Sequence, residues 1–144
     1  MRRFPKYKEP IQLNIGSGND FRKDYVNIDN RDVNGNMVWD VRDGLPFPDG
    51  SVSYIFSSHF IEHLDEDAAT DFISEMLRVI KPGGLIDVWC PHASTKGAVF
   101  PGHKTFWHED KVEAYSRSEV PLPPFEILKT EEVQGQLHFI FKKK

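Results

Sequence analysis

The amino-acid sequence predicts an α/β fold built on a mostly parallel sheet, and three observations carry that expectation. Short apolar runs alternate with turn residues from Pro10 to the end of the 144-residue chain, the rhythm of strands joined by crossovers. One amphipathic helix stands out: Ala69, Phe72, Ile73, Met76, Leu77 and Ile80 recur at helical spacing, an apolar stripe with Asp and Glu on the other face. Lys81-Pro82-Gly83-Gly84 stops that helix, and an apolar run at residues 85–90 comes directly after it. Strand, helix and strand in this order imply a parallel sheet with helices packed on its faces.

From the start of the chain, residues 11–15 form an apolar run that ends at Gly16-Ser17-Gly18, a strand opening into a tight loop, and residues 25–29 form a second strand. Too few residues lie between them for an ordinary crossover helix, so the first helix is one turn or absent. Residues 36–41 give a third strand, and the rigid loop Leu45-Pro46-Phe47-Pro48-Asp49-Gly50 leads into a fourth at 53–57. Asp65 is the N-cap of the amphipathic helix. Residues 91–108 are irregular and rich in His and aromatics, and residues 109–118 suit a short helix. Residues 125–133 and 137–141 flank Gln134-Gly135-Gln136 as a closing hairpin. The second of these runs is apolar on both faces and therefore predicted to be a central strand. No repeat, linker or low-complexity tract divides residues 1–144, which are expected to form a single domain.

Composition narrows the class. With 39% hydrophobic and 12% aromatic residues the chain can build a packed interior, which argues against disorder. The net charge is -4 and the basic residues are scattered, so no footprint for nucleic acid is indicated. The first ten residues are basic but lead into no apolar segment, and no run is long enough to span a bilayer. The lone Cys90 lies in an apolar run and suits a buried thiol in a reducing compartment, so a cytoplasmic protein without membrane partners is expected.

Several constellations could carry chemistry. Glycines at the end of the first strand let the backbone turn sharply and let a ligand sit against main-chain N–H groups. Asp29 closes the second strand, where a carboxylate can accept from two vicinal ribose hydroxyls. In Trp39-Asp40-Val41-Arg42 an acid again ends a strand, placed to accept from an adenine amino group. Three such features at successive strand ends fall on one edge of the sheet, and together they point to an adenosine ligand. His59-Phe60-Ile61-Glu62-His63 fits the H-x-x-E-H zinc pattern, which needs a helix through it and a third ligand. It comes directly after a strand, so these residues are read as a pocket floor and no metal is expected. After the fifth strand come His92, Lys96, His103, Phe106, Trp107 and His108, and histidine is the side chain best suited to take a proton near neutral pH.

Residues 13–18, Asp29, Asp40 with Leu45-Pro46-Phe47, residues 57–64 and residues 77–84 together resemble the ordered motifs of class I S-adenosylmethionine-dependent methyltransferases. The resemblance covers nearly the whole chain. It is strongest to compact, methyltransferase type 11-like bacterial and phage proteins, in which a Pro-His pair and a later His-basic-x-Phe segment come after the fifth strand; here these are Pro91-His92 and His103-Lys104-Thr105-Phe106. It implies a three-layer Rossmann-like fold with a seven-stranded sheet of order 3-2-1-4-5-7-6, strand seven antiparallel and the first helix reduced. It implies S-adenosylmethionine as cofactor, with Gly16, Ser17 and Gly18 against its methionine part and Asp29, beside Asn30, on the ribose. Asp40 and the Val41 backbone would take adenine, Ser57 and Ser58 the methionine end, and Asn14 stands where an acid is usual. The implied activity is methyl transfer to an acceptor that is a small molecule or glycan-type metabolite, with His103 and His92 as candidate bases. The alternative is a non-catalytic module that binds S-adenosylmethionine or S-adenosylhomocysteine, and a homodimer that completes the cleft is compatible with either.

Overall fold

Seven strands form one sheet in this computed structural model, which describes residues 7–33 and 35–144: β1 (Gln12–Ile15), β2 (Val26–Asp29), β3 (Met37–Val38), β4 (Val52–Ser58), β5 (Ile80–Pro91), β6 (Phe125–Val133) and β7 (Gln136–Lys143). Their order is β3-β2-β1-β4-β5-β7-β6. Strands β1 to β5 run parallel, and β7 lies antiparallel between β5 and β6. Order and strand sense are those predicted. Most of the basic start of the chain, residues 1–6, lies outside the described residues. No helix among the described residues is long and apolar enough to cross a membrane.

The pleat explains which residues meet. Leu13 and Ile15 of β1, Ile28 of β2, Ile55 of β4, Ile86, Val88 and Cys90 of β5, and Leu137, Phe139 and Phe141 of β7 share one face and are buried. Burial pushes the Cys90 thiol pKa up, which leaves it a protonated core group. Against this face packs helix α1 (Glu66–Val79), through Ala69, Phe72, Ile73, Met76 and Leu77. Its N-cap is Asp65, whose side chain accepts from the Ala68 N–H. Helix α2 (Glu109–Ala114) joins the same core through Val112. Just before it, Trp107 stacks on Phe139 and on Tyr115, and the Tyr115 hydroxyl lies 3.1 Å from the Thr70 hydroxyl of α1.

The Rossmann-like sheet forms as predicted, with the first helix reduced to the point of absence. Both α-helices lie on one face, and the other face, carrying Tyr54, Phe56, Asp87, Trp89 and His138, is covered by no helix among the described residues. Polar and cationic groups dress it instead. The Tyr54 hydroxyl donates to Asp87 Oδ2 at 2.6 Å, His138 Nε2 lies 2.7 Å from Asp87 Oδ1, and Trp89 stacks on the His138 ring. The Arg22 guanidinium sits 3.5 Å from the centre of the Phe56 ring. The cause is the short β1–β2 connection, which has no room for a helix. A hydrogen-bond net holds it: Asn14 Nδ2 donates to Asp20 O and to Asn27 Oδ1, and Asn27 Nδ2 in turn donates to Arg22 O.

Two elements differ from the sequence reading. Strand β3 is two residues long, because Trp39 N makes its last bond to Asp29 O and Asp40 then caps a single 3-10 turn, Val41–Asp43. Strand β5 begins earlier than expected, where Ile80 pairs with Val52.

The loop after that 3-10 turn is tied to α1 by charge. Glu75 Oε1 accepts from Leu45 N at 2.7 Å, and Arg78 donates to Glu75, to Asp49 and to the Leu45 and Phe47 carbonyls. Burial pushes the Glu75 pKa up, but the bonds from Arg78 and Leu45 N outweigh it, so the carboxyl titrates below its ordinary value. A depressed carboxylate contributes stability that is present above its unfolded pKa and lost as pH falls through the folded one. Replacing Glu75 with Ala is expected to lower stability by about 1–3 kcal/mol at pH 7. The gap to the parent protein should narrow in thermal melts below about pH 4.

Candidate functional site

The order β3-β2-β1-β4-β5 reverses direction between β1 and β4, and open α/β sheets take ligands at such a point, outside the carboxyl ends of the strands. A cleft of about 220 Å³ lies there. One wall is made by the strand ends and the loops leaving them: Gly16, Asp29, Asn30, Trp39, Asp40 and Val41. The other wall is Phe60, His63, Leu64, Asp65 and Ala68, with Lys104 arriving from the segment after β5.

The structure brings together Gly16, Asp29, Asn30, Asp40 and Val41 of the expected set. Asp29 is nearly buried and preorganised: Oδ2 accepts from Gly18 N and Oδ1 from Arg31 N, each at 3.0 Å. Asp40 accepts from the backbone N–H and the guanidinium of Arg42, whose bonds hold its pKa below the usual carboxylate value.

Gly16 is required at its position by its φ of 71° and by Phe60, since a Cβ there would lie 2.5 Å from Phe60 Cδ1. The loop N–H groups, however, form no open cradle. Those of Gly16 and Ser17 both donate to Ile28 O, and that of Gly18 is spent on Asp29. Ser17 Oγ is the group left over, buried and without a hydrogen-bond partner among the described residues.

Other expected residues stand apart from the cleft lining. Asn14 braces the β1–β2 connection, Ser57 is fully buried and donates to Ile15 O, and Ser58 ends β4 outside the walls. His92 is held by Glu109 at Nε2 and by Ser94 at Nδ1, so both ring nitrogens are engaged on the loop that carries it. His103 is not among the lining residues, its ring packed edge-on against that of His63 with centroids 4.7 Å apart. Lys104 and His63 reach the cleft instead. Their signals were present in the sequence, in His103-Lys104-Thr105-Phe106 and in His59-Phe60-Ile61-Glu62-His63, but 39 residues lie between the two motifs and only the fold joins them.

The join is explicit. The Glu62 carbonyl accepts from Lys104 N at 2.7 Å and from Thr105 N at 3.2 Å, while Thr105 Oγ1 donates to Ile61 O. Residues 61–63 form a 3-10 turn, so the helix of a zinc peptidase is absent from this stretch, and His59 sits at a φ of 56°. Glu62 is 2% exposed, and neither carboxylate oxygen has a hydrogen-bond partner among the described residues. Burial pushes its pKa up, against the pull of His63, His59 and His103.

A sheet of this order with a ligand cleft at its switch point defines a class of α/β proteins that bind at the strand ends. The chain belongs to the methyltransferase-domain family, whose pattern spans residues 15–87, half of the sequence. Over 60 residues it is 42% identical to a probable S-adenosylmethionine-dependent methyltransferase of Mycolicibacterium smegmatis. That match covers 39% of this chain and 23% of the relative, so the aligned part spans about a quarter of the relative's length. Among solved structures, an S-adenosylmethionine-dependent methyltransferase from Archaeoglobus fulgidus aligns with a TM-score of 0.70 at 16% identity, covering 92% of this chain and 85% of that one. The [4+2]-cyclase SpnF aligns at 0.71 and 15% identity, covering 92% and 73%. Because a cyclase shares the architecture, these likenesses speak for the fold alone.

The contact between Gly16 and Phe60 can be tested directly. Gly16→Ala should destabilise the protein by about 1–3 kcal/mol through the disfavoured φ and the collision. In a Phe60→Ala background, which loses the packing on Phe72, Gly16→Ala should cost less than it does in the parent protein, by the part due to collision, read from melting temperatures in a double-mutant cycle.

Proposed function

We propose that this chain binds S-adenosylmethionine in the cleft and transfers its methyl group to a small-molecule acceptor. The observation that carries the reading is the convergence of Gly16, Asp29 and Asp40 on one rim of the switch-point cleft in a member of a methyltransferase family.

The residues present fit the cofactor's chemistry. Asp29 offers a preorganised carboxylate, nearly buried, for two ribose hydroxyls, with Asn30 beside it. Asp40 and Val41 line the place for adenine, and Gly16 lines the cleft where the methionine part would lie, while the Ser17 hydroxyl stays buried outside the lining. When bound, S-adenosylmethionine would supply a methyl group on a sulfonium, whose carbon an acceptor atom attacks in line as the C–S bond breaks and S-adenosylhomocysteine leaves as a neutral thioether.

The protein's contribution is chiefly positioning, since holding the acceptor behind the methyl replaces a costly bimolecular encounter. Phe60, Leu64 and Ala68 give the cleft an apolar wall that keeps water away from the transfer. His63 and Lys104 line the acceptor side, and the His103 ring packs edge-on against that of His63. If the acceptor is a hydroxyl or an amine, this pair of imidazoles is the nearest place for its proton. His92 keeps a role in holding the loop through Glu109 and Ser94.

A second reading is a non-catalytic module that binds the same ligand. It is favoured by the pared-down β1–β2 connection, whose loop N–H groups are already spent. Calorimetry and turnover separate the two. S-adenosylhomocysteine is expected to bind the parent protein, and Asp29→Ala should weaken it by roughly 10- to 100-fold, the worth of one or two charge-assisted hydrogen bonds. Absence of binding at millimolar ligand sinks both readings; binding with no methylated product across a broad acceptor screen selects the second.

A further inference from the structure

We infer that Glu62, His63 and His103 form a binding site for one divalent first-row transition ion at the margin of the cleft. One ligand atom from each lies within 4.8 Å of the other two. The donor set, two imidazoles and a carboxylate, is that of open zinc and non-haem iron sites, which keep positions free for water or another oxygen ligand.

Three independent features of the structure support the assignment. The first is Glu62 itself. A carboxylate 2% exposed, with neither oxygen hydrogen-bonded, is costly to bury unless a cation or a proton compensates it. Three imidazoles are among the side chains around it, His59 Nδ1 being 3.6 Å from Oε2.

The second is His103. Its Nδ1 lies 3.3 Å from Ala98 O, and donating there fixes the tautomer that leaves the Nε2 lone pair free. Metal-bound histidines are commonly oriented by such a bond from the other ring nitrogen.

The third is the frame. Residues 61–63 and 103–105 come from distant parts of the chain, yet the bonds from Lys104 N and Thr105 N to Glu62 O lock their backbones together. Thr105 Oγ1 donates to Ile61 O and accepts from Trp107 Nε1, and both Thr105 and Trp107 are buried. Ligands that must meet are therefore carried on one rigid unit.

Size and access agree. Zinc–ligand bonds of about 2.0–2.2 Å put ligand atoms roughly 3.3 Å apart, so the widest pair must close by up to ~1.5 Å. His63 is exposed, which leaves room for that movement and an entry path. The site differs from the H-x-x-E-H pattern, in which both histidines bind the ion and the glutamate acts as base: here Glu62 is itself a ligand and His103 stands in for His59, which sits at a positive φ. Because His63 also lines the cleft, the ion's open positions would face the place of the acceptor. Only this last point rests on the methyl-transfer reading.

The test uses the full chain without a polyhistidine tag, stripped by chelator and titrated with Co²⁺ by visible absorption and with Zn²⁺ by calorimetry. One ion per chain is expected, with a dissociation constant below about 10 µM. Glu62→Gln and His103→Ala should each weaken it at least about 10-fold, while His138→Ala, a histidine of the helix-free face, should leave it unchanged. The inference is overturned by no saturable uptake at about 100 µM ion, or by uptake that both site variants retain. Should a variant lose its circular-dichroism signature, histidine NMR signals of the parent protein decide. Those of His63 and His103 must respond to Zn²⁺, and a response confined to other histidines overturns the assignment. Titration of the same protein with S-adenosylhomocysteine keeps the two readings apart. Metal uptake without it sinks only the methyl-transfer reading, and the reverse outcome sinks only the metal site.

Discussion

The packing of one apolar face of the sheet against α1 is the interaction on which everything else rests. Leu13, Ile15, Ile55, Ile86 and Val88 are fully buried against a stripe of Phe72, Ile73, Met76 and Leu77. Each such side chain gains about 1.5–3 kcal/mol from leaving water. That contact sets β1 beside β4 and so fixes the switch point, and it also fixes where α1 begins. Asp65 caps the helix and lines the cleft at once, which couples the start of the core helix to the wall of the site.

The sequence disclosed this layer well because its signals are local. The helical spacing of residues 69–77 and the Asp65 cap lie within one stretch of chain, although the helix gives way to β5 at Ile80, just before the expected stop at Lys81-Pro82-Gly83-Gly84. The hairpin around Gln134-Gly135 and the central place of β7 were legible for the same reason. The strand-end positions of Gly16 and Asp29 were also readable, since a turn residue after an apolar run marks where a strand must stop.

The features that stayed hidden depend on contacts between distant residues. Asn14 and Asn27 look like ordinary polar positions, and only their mutual bond reveals that they brace the short β1–β2 connection. Asp40 reads as a strand-end acid, whereas pairing with Arg42 turns it into a cap and shortens β3. The far wall of the cleft joins residues 60–68 to Lys104, and the Glu62 carbonyl that makes the join carries no side-chain signature at all. The same junction turned a motif that fails in its usual helical form into a grouping of imidazoles and a carboxylate with another membership.

The helix-free face has a mechanical consequence. A sheet clad on both sides can shed one covering and keep the other, which offers a partly dressed intermediate on the way to the denatured chain. Here the Tyr54–Asp87–His138 bonds and the Arg22 guanidinium are thin trim with little apolar area of their own. Once α1 lifts away, no helix among the described residues stands on the opposite face to keep the strands together. Loss of that one helix therefore amounts to loss of the whole molecule, and melting should be a single cooperative event despite the mixed architecture.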